Sequence, residues 1–349
     1  MANGQSSNLD FLRSFAVLLV LGQHLTRRIF GDATSLPTAY LGLFGVLLFF
    51  VHTSLVLMSS MERSGLQGRT LLRDFYIRRL FRIYPLSILT VAVALSLHLG
   101  SDINHVPGLS YGPLPSFKAA LVQFLLLQNV AHVKSIVNVL WSLPYEVQMY
   151  LFLPFLFAWV RRRSKTTLWA LFALWLLSFA GAWIQPSLRI LDRAPLLLFV
   201  PCFLPGIIAY ALPHKPRFRP FLWPMFVVAL VFAYTIRPGH ALGRWLCLVL
   251  GLAIPFFHEI QSPWLRLISN RIAKYSYGIY LSHQFCIWFA LGVLAGYSLW
   301  LRTSILIASL LLVPIALYHG LEKPMIGLGV RIAARRKQKA VEALPAVAA

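Results

Sequence analysis

The chain has 349 residues, of which 58% are apolar, 14% aromatic and only 12% charged, with a mean hydropathy of +0.72. Soluble domains carry roughly a quarter charged side chains, so a soluble enzyme, a secreted disulfide scaffold and a disordered tail are excluded and the solvent is lipid. The net charge of +22, from 32 Lys and Arg against 10 Asp and Glu, would suggest nucleic acid on a soluble protein. Here it reads as topology, because basic loops face the cytoplasm and meet the anionic inner leaflet.

The pattern predicts an all-α integral membrane fold. Apolar windows fall at about residues 9–27, 40–60, 83–100, 117–130, 142–160, 168–185, 196–212, 221–236, 241–257, 275–297 and 300–320. Most approach the ~20 residues that a helix needs to cross ~30 Å of hydrocarbon. Asp10 and Arg13 interrupt the first window, which is no cleavable leader and reads as a retained span. The basic clusters are Arg63 to Arg82, Arg161 to Lys165, His214 to Arg219, Arg266 to Lys274 and Arg331 to Lys339. They share one side only if the short 117–130 window is re-entrant or interfacial. The reading is therefore a single bundle of about ten spans with both termini cytoplasmic; counting 117–130 as a further span is the alternative. Residues 1–330 form the membrane domain and 331–349 a basic cytoplasmic tail. Cys202, Cys247 and Cys286 lie inside apolar runs without CxxC or zinc spacing, so no metal is expected.

Ionisable groups at membrane depth are functional candidates because each costs ~2.5–3.5 kcal/mol to insert. Arg13 and His24 on the first span are eleven residues apart, ~20° past three full turns and ~16.5 Å along the axis, so they share one stripe. Arg79 and Arg82, in RRLFRIYP, are three apart on one helical face and suit bidentate grip of a phosphate. In WSLPYEVQMY, Glu146 is an acid inside an apolar window with Tyr150 one turn later, next to Trp141 and Ser142. YSYGIYLSH supplies Tyr280 and His283, and Glu322 closes the last span. His52 and His98 read as helix contacts.

Taken in order, LDFLRSFAVLLVLGQH, RRLFRIYP, NVLWSLPYEVQMYLFLP, YSYGIYLSH and LEKP resemble the acyltransferase 3 family of integral membrane O-acyltransferases, from about Leu9 to Pro324. The chain departs from it where the family's second span commonly reads FFVLSGFLI: here Phe49 to Leu57 is FFVHTSLVL, with Thr53-Ser54 replacing Ser-Gly. The hydrolase-like domain fused to some relatives is also missing from this sequence. The resemblance implies transfer of an acyl group, usually acetyl from acetyl-CoA or another acyl-CoA, onto a hydroxyl of a glycan, a glycolipid or a small acceptor, in a bacterial plasma membrane. On that reading Arg13, Arg79 and Arg82 hold the coenzyme phosphates, His24 is the base, and either Glu146 or His283 orients the acceptor or fixes the His24 tautomer. Membrane lipids are the other partner, and nucleic acid is not one. The rival expectation is a carrier or flippase for a lipid-linked or anionic solute, which would use the same buried charges as a pathway.

Overall fold

A computed structural model describes residues 6–31, 40–99, 115–188 and 195–342. These residues form helices α1 (Ser7–Phe30), α2 (Leu41–Ser64), α3 (Gly68–Ser96), α4 (Phe117–Phe124), α5 (Leu143–Val160), α6 (Lys165–Leu188), α7 (Val200–Ala211), α8 (Leu222–Ile236), α9 (His240–Ala253), α10 (Pro263–Trp288), α11 (Leu299–Leu317) and α12 (Lys323–Glu342). Among the described residues, six helical segments are long and apolar enough to cross a membrane: Ser7–Phe30, Leu41–Ser64, Gly68–Ser96, Asn138–Val160, Lys165–Ile184 and Leu299–Ala334. The apolar α7 and α8, and the helical run His240–Phe256, are shorter. The 26-residue α10 is long enough, but Arg266, Arg271 and Lys274 fill its first half.

Hydrophobic periodicity marks where lipid begins, not where helices begin. Thus α3 starts at Gly68, well before the apolar window at 83, and carries its basic first half as helix. The helical path of α11 continues through a π turn at Tyr318–Glu322 into α12, which packs along α3 with Gly329 set against Phe81.

The inner helices approach through small residues, as expected where dispersion and hydrogen bonds must replace the hydrophobic effect. Gly45 of α2 lies on Ala16, Leu19 and Val20 of α1; Gly206 of α7 lies on Val51 and Ser54 of α2; Gly251 of α9 lies on Pro205 of α7. The Ser54 hydroxyl donates to the Phe203 carbonyl at 2.7 Å, fastening α2 to α7. Gly206→Leu would drive a side chain into the Val51 carbonyl, so overpacking of at least ~1–3 kcal/mol follows. We expect that variant to lose its monodisperse peak in detergent chromatography, and an unchanged profile would disprove this contact.

The start of α1 is fixed by a distant carboxylate. Glu259, just before α10, accepts from the Ser6 and Ser7 hydroxyls, each at 2.7 Å, and from the Asn8 amide at 3.0 Å. An acid there also favours the positive end of the helix dipole. α1 is thereby registered against α10, its partner at the site.

Between α4 and α5 the backbone is irregular and partly buried: Leu126, Val137, Val139 and Leu140 are inside, whereas Leu125, Leu127 and Val130 are exposed. Such backbone needs internal partners; turns supply some, as at Leu126, Val130 and Leu140, and side-chain amides brace the rest of the segment. Gln123 donates to the Lys134 carbonyl at 2.8 Å, Gln128 to the Leu140 carbonyl at 3.0 Å, and Asn129 and Gln148 exchange two bonds. This packed segment sets α5 to begin at Leu143, inside the protein, with Glu146 in its first turn.

Candidate active site

α1, α2, α3, α5 and α10 surround a cavity of about 730 Å3, its open mouth included. α2 runs antiparallel to α1 with Gly45 against Ala16 and Gly42 bonded to Gln23, which sets His52 level with Arg13. One layer of the lining is polar: Arg13, His52, Thr53, Arg79, Arg82, Glu146, Tyr150 and Ser276. Toward the start of α2 and the end of α10 the lining turns apolar at Val46, Phe49 and Leu143, with Ser142 and Tyr280 beside them, and on the other side of the polar layer Val56 and Leu57 are apolar as well.

The polar layer is braced from several helices. Arg13 Nε donates to the Ser276 hydroxyl at 2.6 Å. Glu146 Oε1 accepts from the Tyr150 hydroxyl and, at 3.4 Å, from Thr53 Oγ1; Arg79 faces the same Tyr150 hydroxyl. Arg82 Nη1 lies 3.1 Å from Glu322 Oε1, a carboxylate only 2% exposed on the π turn after α11. Three guanidiniums therefore meet one carboxylate in the lining and a second behind it. The surplus is positive and the forks are fixed, which suits a planar or tetrahedral oxyanion.

His24 and His283 lie beyond the cavity lining. Their ring centres are 5.2 Å apart, and Gln284 Nε2 is 3.4 Å from His24 Nδ1. His283 Nδ1 donates to the Ile279 carbonyl at 2.9 Å, one turn earlier on α10. Tyr280 is the link to the cavity: it lines the cavity end, and its ring centre is 6.4 Å from that of His283. Its hydroxyl bonds Ser142 Oγ at 2.7 Å and the Val139 carbonyl at 2.8 Å. The Arg13–His24 stripe thus faces the bundle, with its arginine in the cavity and its imidazole one side chain past the end. Among the described residues no three His, Cys, Asp or Glu side chains converge as a metal site.

A family profile described as an acyltransferase domain matches residues 6–319. The chain belongs to the acyltransferase 3 family. No curated protein and no solved structure matches it. The family match covers the whole cavity lining together with His24 and His283, and ends just before Glu322. Membership establishes an acyltransferase domain carried on membrane helices.

Within this family member, the departure in the second span divides between two roles. Thr53 turns to Glu146 in the cavity, whereas Ser54 makes the helix contact to Phe203. Of the residues singled out in the sequence, Arg13, Arg79, Arg82, Glu146, Ser142, Tyr150 and Tyr280 meet in the lining. Glu322 reaches the site through Arg82, and Trp141 packs outside the lining on Tyr145 and Phe199. His98 is exposed with positive φ at the end of α3. His52, taken as a helix contact in the sequence, lines the cavity beside the arginines. The available signal was the antiparallel pairing of the first two spans, which sets residues summing to about 65 side by side.

Proposed function

We propose that the protein moves an acyl group, acetyl in the simplest case, from acyl-CoA to a hydroxyl of a cell-surface or exported carbohydrate. The observation that carries this reading is the convergence of Arg13, Arg79 and Arg82, from two helices, on one cavity with Glu146. Charge-assisted, forked contacts of that kind favour a phosphate-bearing donor over a neutral solute. Ten crossings by α1, α2, α3 and α5 to α11, with both termini cytoplasmic in a bacterial plasma membrane, put the polar layer nearer the cytoplasm, where acyl-CoA is found. α4 is left out of the count because eight residues span only ~12 Å.

The chemistry follows from the order of groups along α1. Phosphates sit on the arginines, and the flexible pantetheine arm carries the thioester along the apolar lining toward Tyr280. The acceptor hydroxyl reaches His24. The 3.4 Å contact between Gln284 and His24 Nδ1 is longer than an ordinary hydrogen bond, so a hydroxyl displaces it readily. His24 takes the hydroxyl proton as oxygen attacks the thioester carbonyl; the C–S bond breaks, and the same proton passes to the departing thiolate. The products are an ester and free coenzyme thiol. Holding donor and acceptor at one imidazole removes the entropy of their encounter.

The test is incubation of purified protein with labelled acetyl-CoA and envelope glycans. Free thiol released in step with labelled glycan supports transfer. Movement of a lipid-linked or anionic solute across vesicles, without thiol release, would replace transfer by the carrier reading.

A further inference from the structure

The cluster around His24 contains two acceptor atoms that no donor among the described residues fills. His283 spends its Nδ1 proton on the Ile279 carbonyl, so the neutral ring presents a bare lone pair at Nε2. Gln284 directs its Nε2 to His24, leaving Oε1 as an acceptor. Both side chains are completely buried, and among the described residues neither His283 Nε2 nor Gln284 Oε1 has a hydrogen-bond partner. Buried polar atoms are almost always paired, because an unmade bond in a dry interior costs more than a made one gains. Two such atoms against one imidazole need an explanation, and neighbouring positions on α10 bring both to the same His24 ring.

What they lack is specific. Each needs a donor, and neither needs a charge. A carboxylate or phosphate would add acceptors to acceptors, and an ammonium would bring more charge than two neutral atoms offset. Hydroxyl groups supply single O–H donors at close spacing. His24 Nδ1, once the long Gln284 contact gives way, is a third acceptor at the same place.

We propose that His283 Nε2 and Gln284 Oε1 form a polyol subsite beside His24, which grips the hydroxyls flanking the one to be acylated and so selects a sugar ring over a mono-alcohol. This proposal rests on the transfer reading above and assigns the two side chains that position its acceptor. His283 and Gln284 bind and position in this scheme; only His24 moves the proton. Tyr280, which lines the donor cavity and stands 6.4 Å from His283 by ring centres, is the side chain between the subsite and the thioester. Discrimination is then built in: a site made to bond several hydroxyls leaves its own acceptors stranded when offered an alcohol with one.

The experiment uses the purified full chain in detergent, with thermal unfolding as the readout, and methyl glucopyranoside, methyl galactopyranoside, methyl mannopyranoside and cyclohexanol as probes at matched concentration. The expected result has two parts. At least one glycoside raises the melting temperature of the wild type while cyclohexanol does not, and the shift disappears in Gln284→Met and in His283→Phe. Without any probe, Gln284→Met melts at or above the wild-type temperature, because an apolar chain of similar shape replaces an amide whose Oε1 is stranded and whose Nε2 makes only the long 3.4 Å contact to His24. A Gln284→Met protein that melts well below wild type overturns the proposal, since the amide would then be a satisfied structural partner. So would glycoside shifts that survive in Gln284→Met; this holds even if His283→Phe fails to fold. Thiol release from acyl-CoA by the wild type, measured alongside, separates the two ideas. Release without any glycoside-specific shift removes the subsite and leaves transfer standing, whereas no release with any acceptor removes transfer and the subsite with it.

Discussion

His24→Ala is expected to abolish acyl transfer while leaving the protein folded, inserted and able to bind its donor. General-base assistance contributes ~10²–10⁴-fold, and the loss should appear in kcat with the KM for acyl-CoA nearly unchanged. The separation is structural. His24 stands in the His283–Gln284 cluster, 8% exposed, whereas the arginine layer lies ~16.5 Å back along α1 on the far side of Tyr280. Removing the ring opens a small space beside the polar groups of His283 and Gln284. Added imidazole should therefore restore part of the activity, and a merely structural role would give no such rescue. Detergent chromatography and the affinity for free CoA provide the controls. Near-wild-type transfer by His24→Ala would shift the base to another imidazole. His52, which the donor cavity reaches directly, would then be the first to test by His52→Gln.

Much of this arrangement was legible in one dimension because helices keep strict periodicity. Eleven residues return a side chain nearly to its starting azimuth, so Arg13 and His24 had to share a face. The high cost of burying either in lipid made that face point inward. Arg79 and Arg82 could be paired by the same arithmetic. What periodicity cannot supply is which helices adjoin. The meeting of Glu146 with Thr53, and of Arg82 with Glu322, joins residues 93 and 240 positions apart in sequence, and no spacing predicts it. Helix ends were also hidden. The basic first half of α3 reads as loop by hydropathy, yet it is helical from Gly68 onward, and α12 packs along α3. The partly buried segment before α5 was opaque for a further reason: Gln123 and Gln128 bond its main-chain carbonyls and Asn129 pairs with the Gln148 side chain, contacts without a sequence period. His52 lines the cavity although a histidine in an apolar run is ordinarily a packed contact, and only its register opposite Arg13 points to that place.

Arg79 and Arg82 look equivalent in RRLFRIYP, but their substitutions should fail in different ways. Arg79 faces the Tyr150 hydroxyl and the cavity without a carboxylate bonded to it among the described residues. Arg79→Ala should therefore fold and raise the KM for acyl-CoA about ten- to a hundredfold, the range for losing a hydrogen bond to a charged group at ~1.5–3 kcal/mol. Arg79→Lys should recover little of this, since an ammonium keeps the charge but not the fork. Arg82 is different because it neutralises Glu322, which is 2% exposed. Arg82→Ala takes away the ion-pair partner of that carboxylate and leaves Arg13 as the other cation acting on it; breaking a buried pair from one side costs ~3–5 kcal/mol, enough to deplete the folded protein. The double variant Arg82→Ala with Glu322→Gln removes the stranded charge, so folding should return while donor affinity stays low. Melting temperature and CoA affinity measured on the wild type and these four variants give the decision. If Arg82→Ala alone is as stable as wild type, Arg82 does not stabilise Glu322. If the double variant binds donor normally, Arg82 is not a phosphate ligand, and the cavity's cationic grip reduces to Arg13 and Arg79.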